Sequence, residues 1–188
     1  MEDYPIHPVI TYRSHYGHSK SYAEWLSEEL GGALFDLDAT PYPNISQASA
    51  VVLVCPIYAR GLLGAKEFAK LVDKSPQIPL IGVTVCASDP ENPKNVNAYR
   101  SVIDSAFPES IRSRMTWFHV RGGLDYPRMS RRHRAMMWIV TRLAKRQAAK
   151  GDHESQMMYE SYGKVIDFRD PSAIKPIVEH VRGVIGGD

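Results

Sequence analysis

Short β-branched apolar runs alternate along this chain with stretches whose apolar residues recur at helical spacing. That alternation restricts the fold to the α/β class, a parallel sheet with helices on both faces. Strands are predicted at residues 9–12, 33–37, 51–55, 80–86 and 117–120, giving a five-stranded sheet. Most of these runs are continuously apolar, as strands covered on both sides should be. Helices are predicted at 17–30, with Gly31-Gly32 as the stop, and at 63–72, 96–106 and 173–184. The last has two candidate starts, because both Pro171 after Asp170 and Pro176 suit a first helical position. Residues 122–162 are too long for a simple connection and are expected to be an insertion with its own helix. With 188 residues, 44% of them hydrophobic, one domain spanning the chain is expected.

Where the first strand becomes the first helix, the chain reads Ser14-His15-Tyr16-Gly17-His18-Ser19. Hydroxyls flank a glycine there, so backbone N–H groups and the positive end of the helix dipole can face a dianion. The segment has no lysine before Lys20 and lacks both G-x-x-x-x-G-K-[ST] and G-x-G-x-x-G, which sets aside nucleoside triphosphate and dinucleotide sites. Neutral donors without a fixed cation suit a small phosphate monoester, of which flavin mononucleotide (FMN) is the common example. The same residues also make an ordinary capped helix start.

In an open α/β sheet, ligands bind beyond the carboxyl ends of the strands where strand order reverses. After the third strand comes Pro56-Ile57-Tyr58-Ala59-Arg60-Gly61, which offers an aromatic face, a cation and a glycine permitting close approach. Tyr58 suits stacking on a planar heterocycle, and Arg60 suits negative charge on a reduced ring or an acidic substrate; a tight turn with a surface tyrosine has the same composition. After the fourth strand, Ala87-Ser88-Asp89 opens a polar loop running to Asn95. It could hydrogen-bond a pyrimidine edge, or serve as a solvated connection with Asp89 or Asn95 capping the next helix. Cys55 and Cys86 end apolar runs, without C-x-x-C or clustered histidines, so no metal site or disulfide framework is expected.

These loops, in this order, resemble the flavodoxin-like superfamily. The resemblance rests on Ser14-x-x-Gly17-x-Ser19 and Cys55-Pro56-Ile57-Tyr58-Ala59-Arg60-Gly61. It implies a bound FMN contacted by residues 14–19, 56–61 and 87–89. The run Val120-Arg121-Gly122-Gly123-Leu124-Asp125-Tyr126-Pro127-Arg128, followed by a basic helix, is similar to the insertion of menaquinone-dependent protoporphyrinogen IX dehydrogenases. In that family FMN accepts hydride from a reduced tetrapyrrole and passes electrons to a membrane quinone. Arg60, Tyr126 and Arg128 are then the substrate-side candidates, and Tyr16, Tyr99 or Tyr126 would cover the second flavin face. Two other readings stand beside this FMN-dependent oxidoreductase: a flavodoxin electron carrier serving redox proteins, and a flavodoxin-like binding module that has lost its flavin.

Residues 128–150 hold eight Lys and Arg and no Asp or Glu; setting them aside takes the net charge from +2 to −6 for the remainder. Met136, Ile139, Val140 and Leu143 fall on one helical stripe, broadened by Met137, Trp138 and Ala144. This basic amphipathic helix suits the surface of an anionic membrane, a grip on the propionates of a tetrapyrrole, or packing against the sheet. One basic segment without a recognition motif argues against nucleic acid. With no long apolar run and no signal sequence, a cytoplasmic protein is expected, with peripheral contact at the inner face of the membrane through 128–150.

Overall fold

The computed structural model describes residues 7–58 and 61–186. Its centre is a parallel sheet of β1 (Val9–Tyr12), β2 (Ala33–Asp36), β3 (Val51–Tyr58), β5 (Leu80–Cys86) and β6 (Met115–Arg121), in the order β2-β1-β3-β5-β6. A short β4 (Gly61–Leu62) pairs antiparallel with the end of β3. The middle strands are buried on both faces: every residue of β5 is buried, and Val51 to Cys55 of β3 are wholly enclosed. Each such Val, Leu or Ile contributes roughly 1.5–3 kcal/mol relative to exposure. The edge strand β2 is open to solvent, which its shorter apolar run foreshadows.

One face is covered by α1 (His18–Leu30) and α7 (Lys175–Ile185), whose Tyr22, Leu26, Ile177 and Val181 meet Ile10, Val52 and Val83. The other is covered by α2 (Ala65–Val72) and α3 (Pro93–Ala106), with Phe68 and Leu71 of α2 and Phe107, just past the end of α3, packed among Val51, Leu53 and Leu80. Gly31 closes α1 in a left-handed conformation, φ 63°, its N–H donating to the Ser27 carbonyl. A short α4 (Glu109–Arg112) precedes β6.

Several expected boundaries move. Strand β3 continues past Cys55 through Pro56, which keeps register with Val85, and the chain then doubles back so that Ile57 faces Leu62. Pro56, Ile57, Tyr58 and Gly61 are therefore strand residues, and Ala59, Arg60 and the side chain of Tyr58 lie outside the described residues. Helix α3 begins at Pro93 because Asn92 caps it, its Oδ1 accepting the Lys94 N–H at 3.1 Å; Asp89 instead closes a turn by accepting from Glu91 N–H. Both candidate starts of the last helix are used. Asp170 caps a 3-10 turn at Pro171–Ile174, and α7 follows with Pro176 in its first turn.

A polar contact interrupts the α3 face of the sheet. Thr84 Oγ1 lies 2.6 Å from His119 Nδ1, with the Tyr99 ring 5.0 Å from the imidazole. Burial, reinforced by Arg100, pushes His119 below the usual histidine range. The unfolded chain then takes up a proton near pH 6.5 that the folded chain accepts only at lower pH, so stability is lost as pH falls below 6.5. We expect the thermal midpoint to drop between pH 7 and pH 5, and His119→Gln, which retains a partner for Thr84, to flatten that drop; an unchanged slope would remove His119 from the account.

Candidate functional site

Strand order reverses between β1 and β3, and the cleft of this protein lies at the carboxyl ends of the strands there. Its floor is the turn leading into α1. Gly17 takes φ 94°, a conformation costly for any residue with a side chain, and so sets the sharp entry into the helix. Ser14 Oγ accepts the Gly17 N–H at 3.0 Å and closes the turn, leaving its own O–H to donate elsewhere. His18 and Ser19 are the first two residues of α1, where backbone N–H groups have no partner within the helix.

Two features of this turn point to a missing partner. The Ser19 side chain is only 1% exposed, and its hydroxyl has no hydrogen-bond partner. Both ring nitrogens of His18 are buried in the same condition. A buried polar atom left unmade costs about 1–3 kcal/mol, so such atoms lining a cleft mark where a ligand completes the set. Burial, and next Arg169, hold His18 below the ordinary histidine range, with Asp167 and Asp125 opposing.

The insertion forms the other wall. It leaves and rejoins the core through an antiparallel ribbon, β7 (Gly123–Asp125) with β8 (Val165–Asp167), whose first pair is Gly123 with Asp167. Between them stand α5 (Arg131–Ala148) and α6 (His153–Glu160), so the insertion has two helices rather than the expected one. The ribbon approaches α1 closely: a Cβ on Gly123 would sit 2.8 Å from His18 Cε1 and 2.4 Å from the Ile166 carbonyl oxygen. Arg169, just past β8, grips both oxygens of Asp167 and donates to Ser21 Oγ at 2.6 Å, tying the ribbon to α1 and holding the Asp167 carboxyl down to about 2.

Helix α5 starts over the cleft. Tyr16 Oη and His133 Nδ1 are 2.5 Å apart, and His15 packs edgewise on both rings. Arg134 donates to the carbonyls of Tyr126 and Pro127, fixing the first turn of α5 to the ribbon. The cleft that results encloses about 840 Å³ including its open mouth. It is lined by Ser14, His15, Tyr16, His18 and Ser19, by Pro56 and Ile57, by Val85, Cys86 and Ala87, by Gly122 to Asp125, and by Met129, His133, Met136 and Met137. Its chemistry is divided: hydroxyl and imidazole groups at the α1 end, sulfur and aliphatic carbon beneath α5.

Of the residues expected to contact the flavin, eight line this cleft: Ser14, His15, Tyr16, His18, Ser19, Pro56, Ile57 and Ala87. Gly17 shapes its floor. Gly61 is the exposed residue of β4, whose Leu62 is buried. Ser88 turns away to Tyr99, 2.7 Å between hydroxyls, and Asp89 is occupied in its own turn, so neither belongs to the cleft wall. Tyr99 is buried against His119 and Tyr126 against Tyr162, 5.1 Å between centroids; of the three tyrosines expected at the second flavin face, Tyr16 lines the cleft. Arg128 is largely exposed and leans on Asp125 at 3.9 Å, outside the lining. Sequence reasoning missed His133 and the methionines of α5. Their one legible signal was position, since an insertion that begins at Gly122, at the end of β6, starts on the rim where ligands bind.

A family described as the flavodoxin domain matches residues 9–150. Among solved structures, the chain is similar to a flavodoxin from the domain Archaea, at 17% identity over 61% of this chain and 82% of that one, TM-score 0.41. It is also similar to a flavoprotein in complex with FMN from Lactobacillus acidophilus NCFM, at 12% identity over 62% and 93%, TM-score 0.42. The Trp repressor binding protein from Bacillus subtilis follows at 10% identity over 61% and 84%, TM-score 0.43. The chain matches no curated protein.

Proposed function

From the premise that the chain belongs to the flavodoxin domain family, we propose that it is an FMN-dependent oxidoreductase whose flavin occupies the cleft between the α1 turn and α5. The observation that carries this reading is the buried, unpartnered Ser19 hydroxyl at the start of α1. Together with the Ser14 hydroxyl and the first N–H groups of α1 it would complete a phosphate site of neutral donors. His18, with two further unpartnered nitrogens beside it, would donate to the ribityl or phosphate oxygens. Pro56, Ile57 and Ala87 offer flat, largely apolar contact suited to one side of an isoalloxazine ring.

When bound, FMN supplies hydride acceptance and one-electron release. The protein's part is to seat the phosphate at Ser14 and Ser19, exclude water with Met129, Met136 and Met137, and keep a titratable pair, Tyr16 with His133, at the mouth. Burial and the neighbouring His15 lower the affinity of His133 for a proton, which favours its neutral form. The apolar wall suits the ring system of a bulky reductant, and a reduced tetrapyrrole is the specific case that the sequence around the insertion suggests, with a quinone as acceptor. The overall charge of +2 favours this over an acidic electron carrier.

The direct test is an absorbance spectrum of the purified protein before and after adding FMN, with titration by fluorescence quenching. We expect a bound flavin that protoporphyrinogen bleaches without oxygen and a quinone restores. A colourless protein that leaves FMN fluorescence unquenched would instead make residues 14–19 a helix cap and the chain a flavin-free binding module. Bound flavin that protoporphyrinogen leaves oxidised would retain the cofactor and discard that reductant.

A further inference from the structure

The face of α5 turned away from the protein carries apolar residues that nothing covers. The helix buries Thr141 and Ala144, while Ile139 and Leu143 are 55% and 56% exposed and Trp138 is 46% exposed. The stripe expected from the sequence thus points largely outward. Met136, Ile139 and Leu143, at i, i+3 and i+7, form one line along the helix. Arg132 stands one turn before this line and Arg146 continues it, both exposed, with exposed Arg142 on its flank and exposed Lys150 just past the end of the helix. Arg142 lies over the Trp138 ring at 4.3 Å. Residues 128–150 themselves hold no carboxylate, and Glu160 of α6 shares a groove with Arg142 and Lys145 on the side away from this line. Among the described residues no helix is long and apolar enough to cross a membrane.

We propose that α5 rests on an anionic bilayer, with Met136, Ile139 and Leu143 in the boundary between headgroups and acyl chains. The charge pattern selects this occupant. An amphipathic helix that lies in an interface needs apolar residues at the centre of the buried face and Lys or Arg around it, where the long stems reach back to lipid phosphates. A nucleic-acid surface would use the cations but gain nothing from isoleucine and leucine between them. Acidic headgroups satisfy both.

A geometric consequence follows. Met136 belongs both to the outward stripe and to the lining of the cleft. Met136 would then join the helix surface that meets lipid to the cleft, giving a lipid-dissolved quinone a point of approach at that edge. This second part rests on the flavin reading; lipid contact itself does not.

The experiment is co-sedimentation of the full-length protein with phosphatidylcholine vesicles, with and without phosphatidylglycerol, across a salt series. Parallel samples of Ile139→Glu/Leu143→Glu and of Arg142→Gln/Arg146→Gln are compared. We expect binding only to the anionic vesicles, weakening with salt, a shift of tryptophan emission to shorter wavelength on binding, and a loss of about 30-fold in partitioning for the arginine variant. The glutamate variant should lose as much, while both variants keep the circular dichroism of the parent. Equal binding by parent and variants, or none to anionic vesicles, would overturn the proposal. So would concentration-dependent dimers that the glutamate variant abolishes, since the stripe would then meet a second copy. FMN titration of the same variants without vesicles separates the two readings: lipid binding with no flavin uptake leaves the surface and removes the point of approach, whereas flavin uptake without lipid binding does the reverse.

Discussion

Replacing Ser14 and Ser19 together by alanine is expected to weaken FMN binding at least 100-fold and to leave riboflavin binding within a few-fold. The difference between the two ligands is the phosphate alone. A hydrogen bond to a charged group is worth roughly 1.5–3 kcal/mol, so two lost hydroxyl donors account for an effect of that size. The protein itself should lose little. Ser19 makes no hydrogen bond that the substitution breaks, and the one made by Ser14, from Gly17 N–H at 3.0 Å, contributes about 1 kcal/mol to the turn. Paired fluorescence titrations with the two flavins decide it. Parallel losses for both ligands would locate the phosphate elsewhere.

The second large effect is expected from Gly123→Val. A Cβ at this position would meet the carbonyl oxygen of Ile166 at 2.4 Å and the His18 ring at 2.8 Å. The first neighbour is backbone on the paired strand and cannot rotate aside, so the ribbon must open or shift. Such overpacking costs about 1–3 kcal/mol, and a local opening favoured by 2 kcal/mol becomes roughly 30 times more populated. Limited proteolysis of the variant should therefore cut within residues 126–164 at a correspondingly higher rate while β1, β3 and β5 stay protected. FMN affinity should fall as well, because His18 can no longer lie against the ribbon. A variant cleaved no faster than the parent would show that the ribbon does not hold the insertion in place.

These two sites differ in how readily the sequence discloses them. The Ser14 to Ser19 turn was legible because its signal is local: an apolar strand, a hydroxyl, a glycine, another hydroxyl and a helical period follow one another within a few residues. The central strands were legible for a similar reason, since burial on both faces leaves Val51 to Cys55 and Leu80 to Cys86 continuously apolar. The ribbon was not. Gly123–Asp125 and Val165–Asp167 are three residues each and pair across thirty-nine intervening positions, too short for a period and too distant for a turn signal. Pro56 hid the extension of β3, because a proline argues against a strand unless its missing donor faces a position that needs none. The α5 stripe shows a further limit. Spacing established that Met136, Ile139 and Leu143 share a face, but whether that face meets protein or solvent depends on α6, which covers the opposite side. His133 carries no local signal at all, being one residue in a cationic run, and only the placement of α5 against Tyr16 brings it to the cleft.

The antiparallel pairing of Asp125 with Val165 brings the two ends of the insertion to neighbouring positions on one ladder, about 5 Å apart. Everything between them hangs from a doorway one residue wide. Chain of almost any length can be threaded through such a doorway without altering the sheet behind it, since the energetic demand of a longer loop grows only logarithmically. The parallel sheet is in this sense indifferent to what stands over the cleft. The helices above the cleft can therefore change in length and sequence, and with them the molecules that reach its rim, without any change in the strands that carry them.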